Sequence, residues 1–357
     1  MEYQEQKTYV GNLRQLFGVR ESRLAGGKAD GVRVIDLHNG GALELCVAAD
    51  RCMDLAEVRY RGHVLNYITP NGLVHPSYYS CYSEGWSEAF AGGLLYTCGL
   101  SNTGLRESID WEAQKEHGCI ANTPAEQFSA VIEETEAGPI ATLHGVMHEG
   151  MLAGVDLSLT RTIRMRYLCN EIEITDIVRN EGWRTAPHMI LHHCNLGYPL
   201  LQPDSRVQIP NQGIRPRTSF AETMLPKLDT ILPPQDSLEE MCYYYTPKPD
   251  RAGWENVRLE NRRERLGMTL SFDTSTLPHF VQWKNFMKGE YVMGLEPANC
   301  TIDGRSDALA RGQMRFLEPG QRVTYRLKFR FDDAKGGVRT DGTDEKACRS
   351  RPAGNTV

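Results

Sequence analysis

Nowhere in these 357 residues does an uninterrupted apolar run reach the length of a membrane span, for which a helix needs roughly 20 residues. The opening segment Met1-Glu2-Tyr3-Gln4-Glu5-Gln6-Lys7 also lacks the apolar centre of a secretory signal. A soluble, cytoplasmic protein with no membrane partner is the expectation. No block of Lys and Arg occurs either: the net charge is −6, and Arg161-Thr-Ile-Arg164-Met-Arg166 spreads its cations through a strand-like pattern. Nucleic acid is therefore not an expected partner. The glycine fingerprints that cradle nucleotide phosphates after a strand are missing, which leaves nucleotide cofactors without support. Ten cysteines are present, but none falls into a CxxC or CxH cluster, and a chain of this length does not depend on disulfide staples. Most should be reduced and buried. Cys52, Cys98, Cys119, Cys194 and Cys300 lie near the segments singled out below, yet no activating motif accompanies them, so inert packing is favoured over a nucleophile.

What the sequence does have is alternation. Leu43, Leu45 and Val47 fall on one face of a strand, and Val323, Tyr325, Leu327, Phe329 and Phe331 alternate with Arg322, Thr324, Arg326, Lys328 and Arg330, as in half-buried antiparallel strands. Residues 155–167 and 171–178 read the same way. Helical patterns are few, at residues 12–17 and 108–115, with a short helical start at 236–240. Strands without helical crossovers predict an all-β protein, a large antiparallel sandwich rather than a parallel α/β sheet. One domain over residues 18–331 is expected, preceded by an arm or short helix at 1–17 and followed by a flexible, charged tail at 332–357. The Pro-rich stretches 209–216 and 231–234 read as excursions from the sandwich.

Two segments carry the chemistry. His192-His193-Cys194-Asn195-Leu196-Gly197-Tyr198-Pro199 and Gly294-Leu295-Glu296-Pro297-Ala298-Asn299 each set a proton-handling group in an apolar stretch ended by Gly or Pro. Near neutral pH an imidazole can release a proton while a glutamate accepts one. Alternation puts His193 and Asn195 on one face and His192 and Cys194 on the other, so His193 is the site candidate and His192 the structural one. Glu296 follows the apolar run Tyr291-Val-Met-Gly-Leu295, where burial demands a partner or raises the pKa; an ion pair with Lys284 or Arg305 is the plainer alternative. Glu318, in the similar Leu317-Glu318-Pro319-Gly320, sits at a turn and needs only solvent. Arg51 and Asp54 could form an internal salt bridge or reach a ligand, and Trp283-Lys284 offers an aromatic plate beside a donor.

Asp50-Arg51-x-Met53-Asp54, Thr97-Cys98-Gly99-Leu100, His117-Gly118-x-Ile120-x-Asn122-x-Pro124, His193-x-Asn195-x-Gly197-Tyr198-Pro199 and Gly294-Leu295-Glu296-Pro297, in this order, resemble the aldose 1-epimerase (galactose mutarotase-like) family over residues 18–331. The resemblance implies a β-supersandwich with an open groove and no cofactor or metal. It also implies roles: Glu296 as the base that takes the anomeric hydroxyl proton, His193 as the acid that protonates the ring oxygen, and His117, Arg51, Asn102 and Lys284 as sugar contacts. The partner is then a small-molecule sugar, and a homodimer is left open. Two rivals stand beside this reading. One is a non-catalytic carbohydrate-binding protein on the same scaffold. The other is a metal-dependent sugar isomerase that gathers His188, His192 or His193, His117 and Glu296 around a divalent ion.

Overall fold

The structure, a computed structural model, describes residues 2–80, 85–109, 112–113 and 115–334. Along the chain the strands are β1 (Gly18–Arg23), β2 (Arg33–His38), β3 (Leu43–Ala48), β4 (Asp54–Tyr60), β5 (His63–Val64), β6 (Tyr96–Leu100), β7 (Ser108–Ile109), β8 (Glu112–Ala113), β9 (Glu126–Thr135), β10 (Gly138–Gly150) and β11 (Asp156–Arg166). They continue with β12 (Glu171–Asn180), β13 (Ala186–Leu196), β14 (Arg206–Gln208), β15 (Asn211–Pro216), β16 (Met241–Pro247), β17 (Trp254–Asn261), β18 (Leu266–Asp273), β19 (His279–Met287), β20 (Glu290–Ala298), β21 (Arg315–Leu317) and β22 (Arg322–Asp332). Three large sheets result: β1-β2-β3-β4-β5, then β14-β17-β18-β22-β12-β11-β10-β9, then β15-β16-β19-β20-β13-β21 with β6 paired to β13. The pairings within them are antiparallel, as the alternation required.

The core lies between the sheets. On β22 the apolar residues from Val323 to Phe331 are buried while the intervening cations stay outside. Phe272 of β18 stacks on Phe280 of β19, with centroids 5.6 Å apart and planes at 7°, so the eight- and seven-stranded sheets meet face to face. Leu43, Leu45 and Val47 of the first sheet join the same apolar cluster. Each strand of the seven-stranded sheet therefore has one face in this core and the other turned outward. That second face carries His193 and Glu296.

The helix expectations fare differently. Residues 12–17 contain only a 3₁₀ turn at Leu13–Gln15, in which the Arg14 N–H donates to the Asn12 side chain. Of the stretch 108–115, residues 108–109 and 112–113 form the two-residue strands β7 and β8, and 110, 111 and 114 lie outside the described residues; 236–240 is not helical. At 108–109 and 112–113 strand pairing prevailed over local propensity. Residues 211–216, expected to leave the sandwich, form edge strand β15, whose Pro216 sits at the strand end where a missing N–H is tolerated. The N-terminal arm does contain a short helix, Tyr3–Gln6, and Tyr3 packs its ring against Tyr167. Of the expected tail, residues 335–357 lie outside the described residues. Among the described residues no helix is long and apolar enough to cross a membrane.

Candidate active site

Register places His193 and Glu296 side by side. On β13 and β20, Leu191 is opposite Ala298 and Cys194 is opposite Leu295, so His193 falls opposite Glu296 on the neighbouring strand. Cross-strand neighbours share a face, and this is the face turned away from the core: Ile190, Cys194, Met293 and Leu295 point into the main cluster, while Leu191 and Ala298 belong to a smaller one outside it. His193 Nε2 lies 3.3 Å from Glu296 Oε1, with both side chains almost fully buried. They form the floor of a cavity of about 350 Å³ whose walls include Trp86, Phe90, His117, Arg217, Glu240 and Trp283.

The walls are aromatic. Trp86 and Phe90, both on the helix Gly85–Ala89 or just after it, stack at 4.6 Å. Phe90 approaches the His193 ring to 5.4 Å and Trp283 approaches it to 5.5 Å. Trp283 is held by its indole N–H, which donates to Glu240 Oε2 at 2.7 Å. His117 rests on Trp86 at 4.8 Å. Its backbone is in the left-handed region, at φ 51°, an arrangement that costs a non-glycine residue and is held by two bonds: His117 N–H donates to Gly104 O, and Gly99 N–H donates to His117 O. Gly118 is required beside it, because a Cβ there would lie 2.0 Å from Gly99 O.

Hydrogen bonding is incomplete around this cavity. Trp86 Nε1, His117 Nδ1, His193 Nδ1 and Glu296 Oε1 are buried without a hydrogen-bond partner. Orphaned buried groups are costly and rare, and four on the lining of one cavity suit a ligand rich in donors and acceptors. Burial also sets the protonation states. It drives the Glu296 carboxyl well above the usual carboxylate range, with the nearby Glu240 charge adding to it and Arg217 opposing. It lowers the His193 imidazole to about 3, with His117 contributing, and lowers His117 to about 4, with Arg217 contributing. Burial thus favours the uncharged form of both groups.

Gly294 faces the cavity two residues before Glu296. A Cβ built there would lie 2.1 Å from Glu296 Oε1 and 3.2 Å from Trp283 Cβ. The first obstacle is the end of a flexible side chain, so Gly294→Ala should fold and displace the carboxyl group. A shift of that kind is expected to cost about 10²-fold in turnover, read as catalytic rate beside an unchanged melting temperature. Wild-type turnover in the alanine variant would show that the carboxyl position is immaterial.

The other expected contacts do not reach the cavity. Arg51 is buried, and its guanidinium donates to the carbonyls of Ala121 at 2.8 Å, Ala89 at 2.9 Å and Val74. It pairs with backbone, not with Asp54, and ties together the segments that carry Phe90 and His117. Asn102 donates from Nδ2 to Leu105 O and Lys115 O, closing the loop behind His117. Lys284 is one residue from Trp283 and so points to the opposite face, where Nζ donates to Leu228 O and lies 5.6 Å from the Tyr243 ring centre. Neither Lys284 nor Arg305 meets Glu296; Arg305 donates to Ser101 O. Glu318 is exposed and accepts from the Thr185 hydroxyl at 2.9 Å.

His188 and His192 are turned to the core. His188 bonds Leu100 O and the Tyr325 hydroxyl, and His192 Nε2 lies 3.0 Å from Asp176 Oδ2. The four ligands of the isomerase reading therefore do not converge, and among the described residues no group of three His, Cys, Asp or Glu could hold a metal ion. Burial pushes the thiols of Cys119 and Cys300 up to about 12, and those of Cys52, Cys98 and Cys194 well above their ordinary value. None is poised as a thiolate. Trp86, Phe90, Arg217 and Glu240 were not singled out from sequence. Trp86-x-x-x-Phe90 is the one local signal among them, an aromatic pair at helical spacing.

A larger cavity of about 550 Å³ lies on the outer face of the first sheet, among Arg20, Asp36, Glu57 and Arg59. Its charges pair with one another, Arg20 with Asp36 at 3.6 Å and Arg59 with Glu57 at 2.6 Å. None of its lining side chains is among those with an unpartnered buried polar atom, so size does not make it the site.

The fold is a galactose mutarotase-like β-sandwich, and His193 and Glu296 meet at the floor of one of its cavities. The chain itself belongs to the family described as a domain of unknown function (DUF4432), matched over residues 29–331. Among solved structures it is similar to a protein from Klebsiella pneumoniae provisionally named an aldose 1-epimerase, at 23% identity over 94% of this chain and 90% of that one, with a TM-score of 0.86. It is also similar to a galactose mutarotase-like protein from Clostridium acetobutylicum, at 14% identity, 89% and 99% coverage and TM-score 0.63. A galactose 1-epimerase from Lactobacillus acidophilus follows at 12% identity, 89% and 100% coverage and TM-score 0.57. No curated protein matches the sequence.

Proposed function

We propose that this protein is an isomerase of the aldose 1-epimerase type, which interconverts the α and β anomers of a free sugar by acid–base ring opening. The observation that carries this reading is the pair of His193 and Glu296, 3.3 Å apart on adjacent strands at the floor of an aromatic-walled cavity. Glu296 as carboxylate takes the anomeric hydroxyl proton while His193 as imidazolium protonates the ring oxygen. The C1–O bond of the ring breaks and C1 becomes a carbonyl. Glu296 is then a carboxylic acid and His193 a neutral imidazole, the combination that burial favours. Rotation about C1–C2 presents the other carbonyl face, and reclosure runs the same two transfers backward. His117, neutral and with an open Nδ1, is suited to hold a hydroxyl, and Trp86 and Trp283 suit the apolar face of a sugar ring.

Saturation-exchange NMR on a panel of free aldoses tests the proposal directly. Acceleration of anomer exchange for at least one sugar is the expected result. A panel in which no sugar exceeds its spontaneous rate would favour the binding-protein reading.

Proton count predicts the pH dependence. Activity needs one proton on the pair. Below the acid limb a second proton arrives and no base remains; above the basic limb the last proton leaves and no acid remains. Burial lowers His193 to about 3 and raises Glu296, so after the spontaneous reaction is subtracted the acid limb of kcat/KM should lie well below the ordinary imidazole value of about 6.5, and the basic limb should be displaced above the ordinary carboxylate range. An acid limb at the ordinary imidazole value would contradict the assignment.

A further inference from the structure

Beside the acid–base cavity lies a second one, of about 350 Å³, on the same outward face. Cys242 lines the first cavity and Tyr244 the second. These are two residues apart on β16, about 7 Å along a strand. Arg217 and Arg215 repeat the spacing, and Ile302 and Thr301 are consecutive, one on each lining. Between the two runs a ridge centred on Asp303: the Tyr244 hydroxyl donates to it at 2.6 Å, Arg215 reaches it at 3.2 Å and Arg217 at 3.3 Å.

We infer that the second cavity is a subsite for the next ring of a neutral reducing oligosaccharide, whose reducing-end ring occupies the first. The inference rests on the proposed anomer exchange and names its substrate class. Charge argues for neutrality. Arg215 and Arg311 are the cations on the second lining, and each is met by a carboxylate, Arg215 by Asp303 and Arg311 by Asp307 at 2.8 Å. Arg215 also lies 4.2 Å over the Tyr244 ring, which holds its plane in place. A phosphate or carboxylate would have to displace one of these partners; hydroxyl groups need not. Thr301, on the same lining, keeps a buried hydroxyl with no partner, whereas the larger cavity on the first sheet has no such atom. Binding energy gained on the second ring, remote from the reacting carbon, can raise kcat/KM for the first.

The test compares anomer exchange of maltose, cellobiose and lactose with that of glucose, galactose and glucose 6-phosphate on the full chain. At least one disaccharide should exceed its monosaccharide by about tenfold in kcat/KM, a difference of about 1.4 kcal/mol. Thr246 projects from β16 on the same alternation as Tyr244 and is exposed, and Gln313 lines the far side. Thr246→Trp and Gln313→Trp should each fill the cavity and bring the disaccharide-to-monosaccharide ratio back towards one; two separate positions guard against one variant failing to fold. A wild-type ratio at or below one, a ratio untouched by both variants, or a clear preference for glucose 6-phosphate would overturn the subsite while monosaccharide exchange leaves the proposed function standing. Absence of exchange for every sugar would remove both.

Discussion

Replacing Glu296 by glutamine is expected to slow anomer exchange by about 10² to 10⁴-fold, the usual contribution of one general acid or base, and to leave the fold intact. The amide has the shape of the carboxyl group but can neither accept nor release the proton. It should not destabilise the protein, because burial already disfavours the ionised carboxylate at this position and a neutral amide has less to lose on desolvation. His193→Asn should lower turnover by a similar factor. Glu318→Gln is the control: that carboxylate is exposed, accepts from the Thr185 hydroxyl and is not on the cavity lining, so exchange should match wild type. Exchange NMR with a melting curve on each variant checks all three. A near wild-type rate in Glu296→Gln or His193→Asn would remove the pair from the chemistry.

Arg161→Ala should be the most destabilising single change of a polar side chain near the site. Arg161 is fully buried, and its guanidinium donates to Asp176 at 2.8 and 2.7 Å, to Asp54 at 2.6 Å, to Thr97 Oγ1 at 2.9 Å and to Cys52 O at 3.1 Å. Removing it leaves two aspartates buried without their counter-charge, at a cost of about 3 to 5 kcal/mol. The Arg161 charge holds Asp176 well below the usual carboxylate range against the opposing pull of burial. The cluster also bears on the site. Thr97 of β6 pairs with His192 of β13, and His192 touches Asp176, so the strand carrying His193 is anchored from behind by these groups. Urea unfolding should show the loss, and the triple change Arg161→Met, Asp54→Asn, Asp176→Asn should recover much of it, since neutral groups do not need the guanidinium. A single variant within about 1 kcal/mol of wild type would show that the cluster is not the anchor described.

Strand character was readable because one-sided burial writes period two into the sequence. The alternation on residues 322–331 and the opposite faces of His192 and His193 both follow from that period, and both hold in the structure. Short polar segments were not readable in the same way. Residues 108–109, 112–113 and 211–216 have no periodic apolar face to identify them, and strand pairing decided their conformation. The family resemblance implies Arg51, Asn102 and Lys284 as sugar contacts. The structure turns them to backbone carbonyls, because a buried donor takes the nearest acceptor that folding supplies, whatever its neighbours in sequence.

By itself, then, the sequence determined an antiparallel sandwich, the opposite faces of His193 and His192, and two apolar segments each carrying one proton-handling group. Those are local properties, set by side-chain alternation and by the residues that end a strand. Tertiary structure alone decided that β13 lies beside β20 in the register that sets His193 against Glu296, that Trp86, Phe90, Arg217 and Glu240 close around them, and that a second cavity opens beyond Asp303. Register between strands a hundred residues apart depends on which core faces pack together, and no local pattern in either strand records it.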